Sequence, residues 1–106
     1  MESKNQIIER IVSVVNKTSP QSQVFLYGSR ARGNAKNSSD WDILILMNKN
    51  KVTFTDETDF MDAFYELELE TGEVLSPLIY AQNEWKKKYS QTALFENIKR
   101  DGIRLL

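Results

Sequence analysis

Residues 26–46 read LYGSRARGNAKNSSDWDILIL. An apolar run over residues 24–27 enters Gly28-Ser29. Ten residues separate Ser29 from Asp40, and Asp40-Trp41-Asp42 runs straight into a second apolar stretch, residues 43–46. The apolar runs read as two strands joined by a polar connection over residues 34–39. Glycine tolerates backbone angles that other residues avoid, so a strand ending at Gly28 can turn sharply and let a ligand approach its backbone. Ser29 is placed to cap a short helix over residues 30–34, whose first N–H groups and serine hydroxyl suit a phosphate. Arg30 and Arg32 add positive charge, but residues two apart on a helix do not share a face, so only one of them is expected to reach a ligand.

The acids follow from strand geometry. Side chains alternate along a strand, so Asp40 and Asp42 project together while Trp41 faces the other way, into the core. Two adjacent carboxylates repel, and a cation relieves that repulsion. Mg²⁺ commonly takes one or two carboxylates completed by substrate phosphates and water. Asp42 also enters a strand apolar enough for burial on both faces, where a carboxylate needs a partner or a metal. A phosphate-holding turn beside a metal-holding carboxylate pair points to phosphoryl or nucleotidyl transfer.

This arrangement, Gly28-Ser29 followed by Asp40 and Asp42 with the turn filled as GSRARG, resembles the minimal nucleotidyltransferases of the MNT type, within the DNA polymerase β-like nucleotidyltransferase superfamily. The order of expected elements matches over nearly the whole chain. The resemblance implies the nucleotidyltransferase fold, an α+β (α/β) architecture with a small mixed β-sheet flanked by helices. It implies Mg²⁺-dependent transfer of a nucleoside monophosphate, AMP from ATP, to a protein or small-molecule acceptor. On it, Gly28, Ser29, Arg30 and Arg32 bind the nucleotide, and Asp40 and Asp42 bind metal and serve catalysis. Proteins of this type often pair with small helical HEPN-type proteins, and in some pairs the nucleotidyltransferase is an antitoxin that transfers AMP to the toxin.

The resemblance also implies a third carboxylate on a neighbouring strand. By element order it belongs in residues 74–80, which contain no Asp or Glu. Ser76 is the nearest polar occupant and Glu73 stands just before; Glu66, Glu68 and Glu70 fall on the preceding helix, on its exposed side. Two readings therefore stay open: a transferase, and a weakly active or inactive nucleotide-binding module that acts through a partner. Two rival motifs fail. A P-loop needs Lys and then Ser/Thr after its second glycine, where Asn34 and Ala35 follow Gly33. An EF-hand loop needs a ligand and a turn glycine where Leu44 and Ile45 stand.

Composition narrows the chemistry. The 106 residues suggest one domain, 1–106, of a size that buries roughly 65% of the unfolded chain's surface. With 41% hydrophobic and 27% charged residues it reads as an ordinary globule. There is no cysteine and no histidine, so a site here works with carboxylates, hydroxyls, Lys and Arg. A net charge of −1 offers no global field for long nucleic acid, which favours a mononucleotide. No apolar run approaches the ~20 residues of a membrane span, and the polar start MESKNQ lacks a signal-peptide core, so the expected location is cytoplasmic.

Elsewhere, the spacing of Ile7, Ile8, Ile11, Val12 and Val15 predicts a helix over 4–17. A second helix is expected over 57–71, capped by Thr55 or Asp56, with Phe60, Met61, Phe64, Leu67 and Tyr65 inward and Gly72 as its stop. A strand over 74–80 carries Pro77, which places it at an edge or a bulge. Helices follow over 82–88, where Lys86, Lys87 and Lys88 read as a solvated face, and over 91–101, where Leu94, Phe95 and Ile98 point inward. Residues 103–106 are expected to pack or to add a short strand.

Overall fold

The computed structural model describes residues 3–36 and 38–106; Met1, Glu2 and Asn37, the last within the expected polar connection, lie outside the described residues. The elements run α1 (Lys4–Thr18), β1 (Gln23–Tyr27), α2 (Ser29–Arg32), β2 (Trp41–Met47), α3 (Phe54–Thr71), β3 (Leu75–Ala81), α4 (Gln82–Lys88), α5 (Ala93–Asp101) and β4 (Ile103–Arg104). Among the described residues the four strands form one sheet in the order β3-β2-β1-β4. β1 pairs antiparallel with β2 and with β4, while β2 and β3 are parallel, so the sheet is mixed. Pro77 falls on the edge strand, where a missing N–H costs least.

β2 is the axis of the fold. Five consecutive residues, Ile43 to Met47, are buried, because helices cover both faces of the sheet. Trp41, Ile43, Ile45 and Met47 face α1 and α3, meeting Ile7, Ile11 and Val15 from one helix and Phe60, Phe64 and Leu67 from the other. Leu44 and Leu46 face the opposite side, where they join Trp85 of α4 and Ile98 of α5. The strand alternation thus divides the core into two layers, and Asp42 shares the face of Leu44 and Leu46.

Local signals set the helix starts. Ser3 and Gln6 form a capping box on α1. The start of α3 differs from expectation: its cap is Thr53, not Thr55 or Asp56. The Thr53 hydroxyl accepts from the Asp56 N–H at 3.1 Å and the Asp56 carboxylate accepts from the Thr53 N–H at 2.9 Å. Asp56 is also bonded by Lys49, and that bond, followed by the one from the Thr53 backbone, holds its carboxyl below the usual aspartate range. The inward face of α3 is also narrower than the spacing suggested. Phe60, Phe64 and Leu67 are buried, whereas Met61 and Tyr65 are exposed. Each lies one residue, about 100°, further round the helix than its buried neighbour, which turns it away from α1 and the sheet. Substituting Phe64→Ala is expected to cost about 3–5 kcal/mol of unfolding free energy, and Tyr65→Ala no more than about 0.5 kcal/mol. Urea denaturation separates the two, and equal costs would contradict this placement of α3.

Candidate active site at the head of β2

β1 delivers the chain into Gly28 with φ 73° and ψ −155°, an angle pair suited to glycine. The chain closes at once into the single turn of α2, with the Ala31 and Arg32 N–H groups both donating to the Gly28 carbonyl at 3.1 Å. Gly28 is therefore the cap residue, and Ser29, expected to be the cap, is the first residue of the helix. The backbone turn at Gly28 already brings its carbonyl to the helix start, which leaves the Ser29 hydroxyl outside the cap. Gly33, in the left-handed region, ends the turn.

The turn presses against the acids. A Cβ added to Gly28 would lie 2.3 Å from Asp42 Oδ2. Only a residue without a side chain lets this backbone come so near the carboxylate.

Pairing then lays out a row across three strands, Tyr27 on β1 opposite Asp42 on β2 opposite Ser76 on β3. Directly opposed residues share a face, so the three side chains stand together on the α4/α5 side of the sheet. Asp40, just before β2, joins them: the Ser76 hydroxyl donates to Asp40 Oδ2 at 3.2 Å. Glu73, the other residue considered for a third carboxylate, is turned toward Arg30 at 3.7 Å. Glu68 is occupied with the Leu75 N–H at 2.9 Å. Among the described residues no group of three or more acids, histidines or cysteines gathers at one point.

The electrostatics follow from this crowding. Burial, and then the charge of Asp40, push the Asp42 carboxyl above the ordinary aspartate range, while Arg32 pulls it part of the way back. The Tyr27 hydroxyl is pushed up to about 12 by burial first, then by Asp42 and Tyr80. It remains protonated at neutral pH, a hydrogen-bond donor next to the acids. Two oxygen ligands whose mutual repulsion is incompletely compensated form a donor set that fits a hard divalent cation.

The two arginines separate, as their spacing requires. Arg32 is exposed on the side whose field reaches Asp42. Arg30 lies over the Trp41 ring at 4.4 Å, donates to the Ser39 carbonyl at 2.8 Å and pairs with Glu73. Its own carbonyl accepts from Lys4 at 3.2 Å. Arg30 thus ties α2, the entry to β2, the entry to β3 and the start of α1 together from the side of the sheet away from the acids. Sequence reasoning missed this, and it missed Tyr27. The face of Tyr27 depends on strand register, which only the pairing fixes. The Arg30 role was signalled, if at all, by the aromatic Trp41 between the two acids.

The fold and the site define a class. The sequence matches the Polymerase beta, Nucleotidyltransferase family over residues 9–105, and the chain belongs to that family. No curated protein matches the sequence. Among solved structures, the chain is similar to a toxin-antitoxin crystallised with AMP-PNP, at a TM-score of 0.69 and 16% identity, over 93% of this chain and 72% of that one. It is also similar to two mutant structures of the toxin-antitoxin MntA-HpeT. One has a TM-score of 0.66 and 13% identity over 93% of this chain and 71% of that one. The other has a TM-score of 0.65 and 16% identity over 100% of this chain and 73% of that one. At such identities the likeness is one of fold. The mixed sheet flanked by helices, implied by the resemblance to minimal nucleotidyltransferases, is the architecture observed. No helix of the described residues is long and apolar enough to cross a membrane.

Because folding raises the Asp42 pKa, the folded state takes up this proton first as pH falls. The group costs stability above its raised pKa, and the cost disappears as pH drops below the ordinary value of 3.8. Asp42→Asn is accordingly expected to raise the Tm of the ligand-free protein at pH 7. The gain should shrink toward pH 4. Calorimetric melts of both proteins across pH test this, and a lower Tm for Asp42→Asn at pH 7 would refute it.

Proposed function

We propose that this chain, as one domain spanning residues 1–106, is an Mg²⁺-dependent nucleotidyltransferase that moves AMP from ATP to a protein acceptor. In this reading it is the antitoxin of a cytoplasmic pair with a HEPN-type toxin. The observation that carries the reading is the contact between Gly28 and Asp42. It places a bare backbone turn, suited to phosphate, directly against a carboxylate whose charge burial and Asp40 disfavour, suited to a cation. The family supports nucleotidyl transfer. The toxin-antitoxin neighbours, one crystallised with AMP-PNP, support the partner and the nucleotide.

In the proposed reaction an acceptor hydroxyl oxygen bonds to the α-phosphorus of ATP, the bond from that phosphorus to the α–β bridging oxygen breaks, and pyrophosphate leaves. Gly28 and the Ser29 hydroxyl hold triphosphate oxygens. Arg32 neutralises phosphate charge at the mouth of the site, and Arg30 acts at one remove by fixing the turn on Trp41. Asp40 and Asp42 hold Mg²⁺, which supplies charge neutralisation and orients the phosphates. Tyr27 keeps its proton and faces the same space as a donor. The acceptor's hydroxyl proton must still be taken up by a base. Ser76 fills the position beside Asp42, and a serine hydroxyl is no general base at neutral pH. That observation favours the second reading, a nucleotide-binding module whose turnover is slow or absent.

Two measurements separate the readings. Calorimetric titration of ATP is expected to show micromolar binding that requires Mg²⁺ and is lost in Asp42→Asn with folding intact. Unchanged affinity in that variant would remove the assignment of the site. With the partner toxin as acceptor, Ser76→Asp is expected to leave ATP affinity within about twofold and to raise AMP transfer by roughly 10²-fold, the lower end of what a positioned base contributes. No gain in rate would show that the row across β1, β2 and β3 does not face the reacting hydroxyl.

A further inference from the structure

The outer face of α3 carries a stripe of large apolar side chains with nothing over them. Phe54 is 84% exposed, Met61 48%, Tyr65 61% and Leu69 68%. Their intervals of seven, four and four residues keep them within one narrow arc of the helix, away from Phe60, Phe64 and Leu67. Isolated exposed apolar residues are unremarkable, but four along one face of a helix, with Thr58 between the first two, mark a surface made to be covered.

The charges identify what covers it. α3 holds seven carboxylates and no cation. At 100° per residue, Glu57 and Glu68 border the stripe on one side, and Asp62 and Glu66 on the other. Among the described residues Glu57, Asp59, Asp62 and Glu66 enter no ion pair. A second copy of α3 laid on the stripe would set two acidic borders against each other, and an anionic membrane would meet the same repulsion. An apolar ridge edged by cations meets complementary charge on both borders.

We propose that α3 is the docking face for a protein partner that presents an amphipathic helix with an apolar seam and Lys/Arg on both flanks. α3 runs antiparallel to β2, from the Met47 end of the sheet back to the end where Asp40 and Asp42 stand. A helix lying along the stripe therefore reaches the rim of the site while leaving the acids' own face of the sheet open. The inference does not rest on turnover, because α3 packs on the opposite face of the sheet from Asp42.

The test uses a labelled synthetic peptide of 18 residues, the length of α3, built of Leu and Lys with leucines on one face. A scrambled peptide of identical composition is the control. By fluorescence anisotropy the patterned peptide should bind at least about tenfold more tightly than the scrambled one. The double variant Tyr65→Ser/Leu69→Ser should erase that difference, with circular dichroism and Mg²⁺-dependent ATP binding unchanged. Asp62→Lys/Glu66→Lys, altered only at exposed positions, should erase it too and serves if the serine variant folds poorly. Equal binding of the two peptides, or a patterned preference that survives the variants, overturns the proposal. So does concentration-dependent dimerisation in sedimentation that the serine variant abolishes, since the occupant is then a second copy.

Discussion

Everything at the functional end of this molecule depends on the close approach of a backbone turn to a carboxylate. Gly28 sits so near Asp42 that a single added carbon would collide with its oxygen. Such a contact cannot be reached by a flexible loop settling onto a surface. It requires β1 and β2 to be hydrogen-bonded neighbours in one register, with Tyr27 opposite Asp42, so that the residue after Tyr27 turns over the aspartate. The register is in turn set by burial. A slip of one residue would send Ile43, Ile45 and Met47 to the wrong layer and bring Asp42 into the α1/α3 core. The core thus determines where the acid stands, and the acid determines that residue 28 has no side chain.

Arg30 shows how the second layer of this design works. A guanidinium over an indole is worth about 0.5–2 kcal/mol depending on its exposure, and here it is combined with a bond to the Ser39 carbonyl and a pairing with Glu73. These contacts fall on the three segments that must converge for the site to exist: the turn after β1, the approach to β2 and the approach to β3. Glu73 is held in that arrangement on the far side of Trp41, away from Asp40 and Asp42. Among the described residues, the absence of a third carboxylate beside the pair is therefore a consequence of packing as well as of sequence, since Glu73 serves as an anchor.

The fold was readable because β2 is unambiguous. A pair of acids followed by an unbroken apolar run has few structural solutions, and the glycine ending β1 indicated the turn. Pro77 limited β3 to an edge or a bulge, of which the structure has the edge, and Gly72 and Gly102 marked helix ends. What stayed hidden depended on faces rather than on elements. Met61 and Tyr65 satisfy helical spacing as well as their buried neighbours do, and only the direction of α1 and the sheet decides which of them is covered. Ser29 and Gly28 are both acceptable cap residues by type, and the backbone angle at Gly28 chose between them. The separate duties of Arg30 and Arg32 could be anticipated as a split but not assigned, because that needed the position of Trp41 relative to the turn.

The two surfaces of the sheet consequently carry different kinds of unfinished business. On the α4/α5 side, Asp40 and Asp42 repel each other, and burial lifts the proton affinity of Asp42. The Ser76 hydroxyl on Asp40 and the field of Arg32 on Asp42 offset that cost only in part. On the α3 side, apolar side chains face water between rows of acids, of which Glu57, Asp62 and Glu66 enter no ion pair among the described residues. Neither feature helps this chain fold: one raises the energy of the native state, and the other leaves apolar area exposed. In the proposed reading both are relieved by something positively charged from outside, a small hard cation in one case and a basic helix in the other. A net charge of −1 conceals this, because the fourteen cationic side chains that nearly balance the acids include none on α3. In the proposed reading the two demands belong to one event, since a partner seated along α3 ends beside the strand heads where the nucleotide is held.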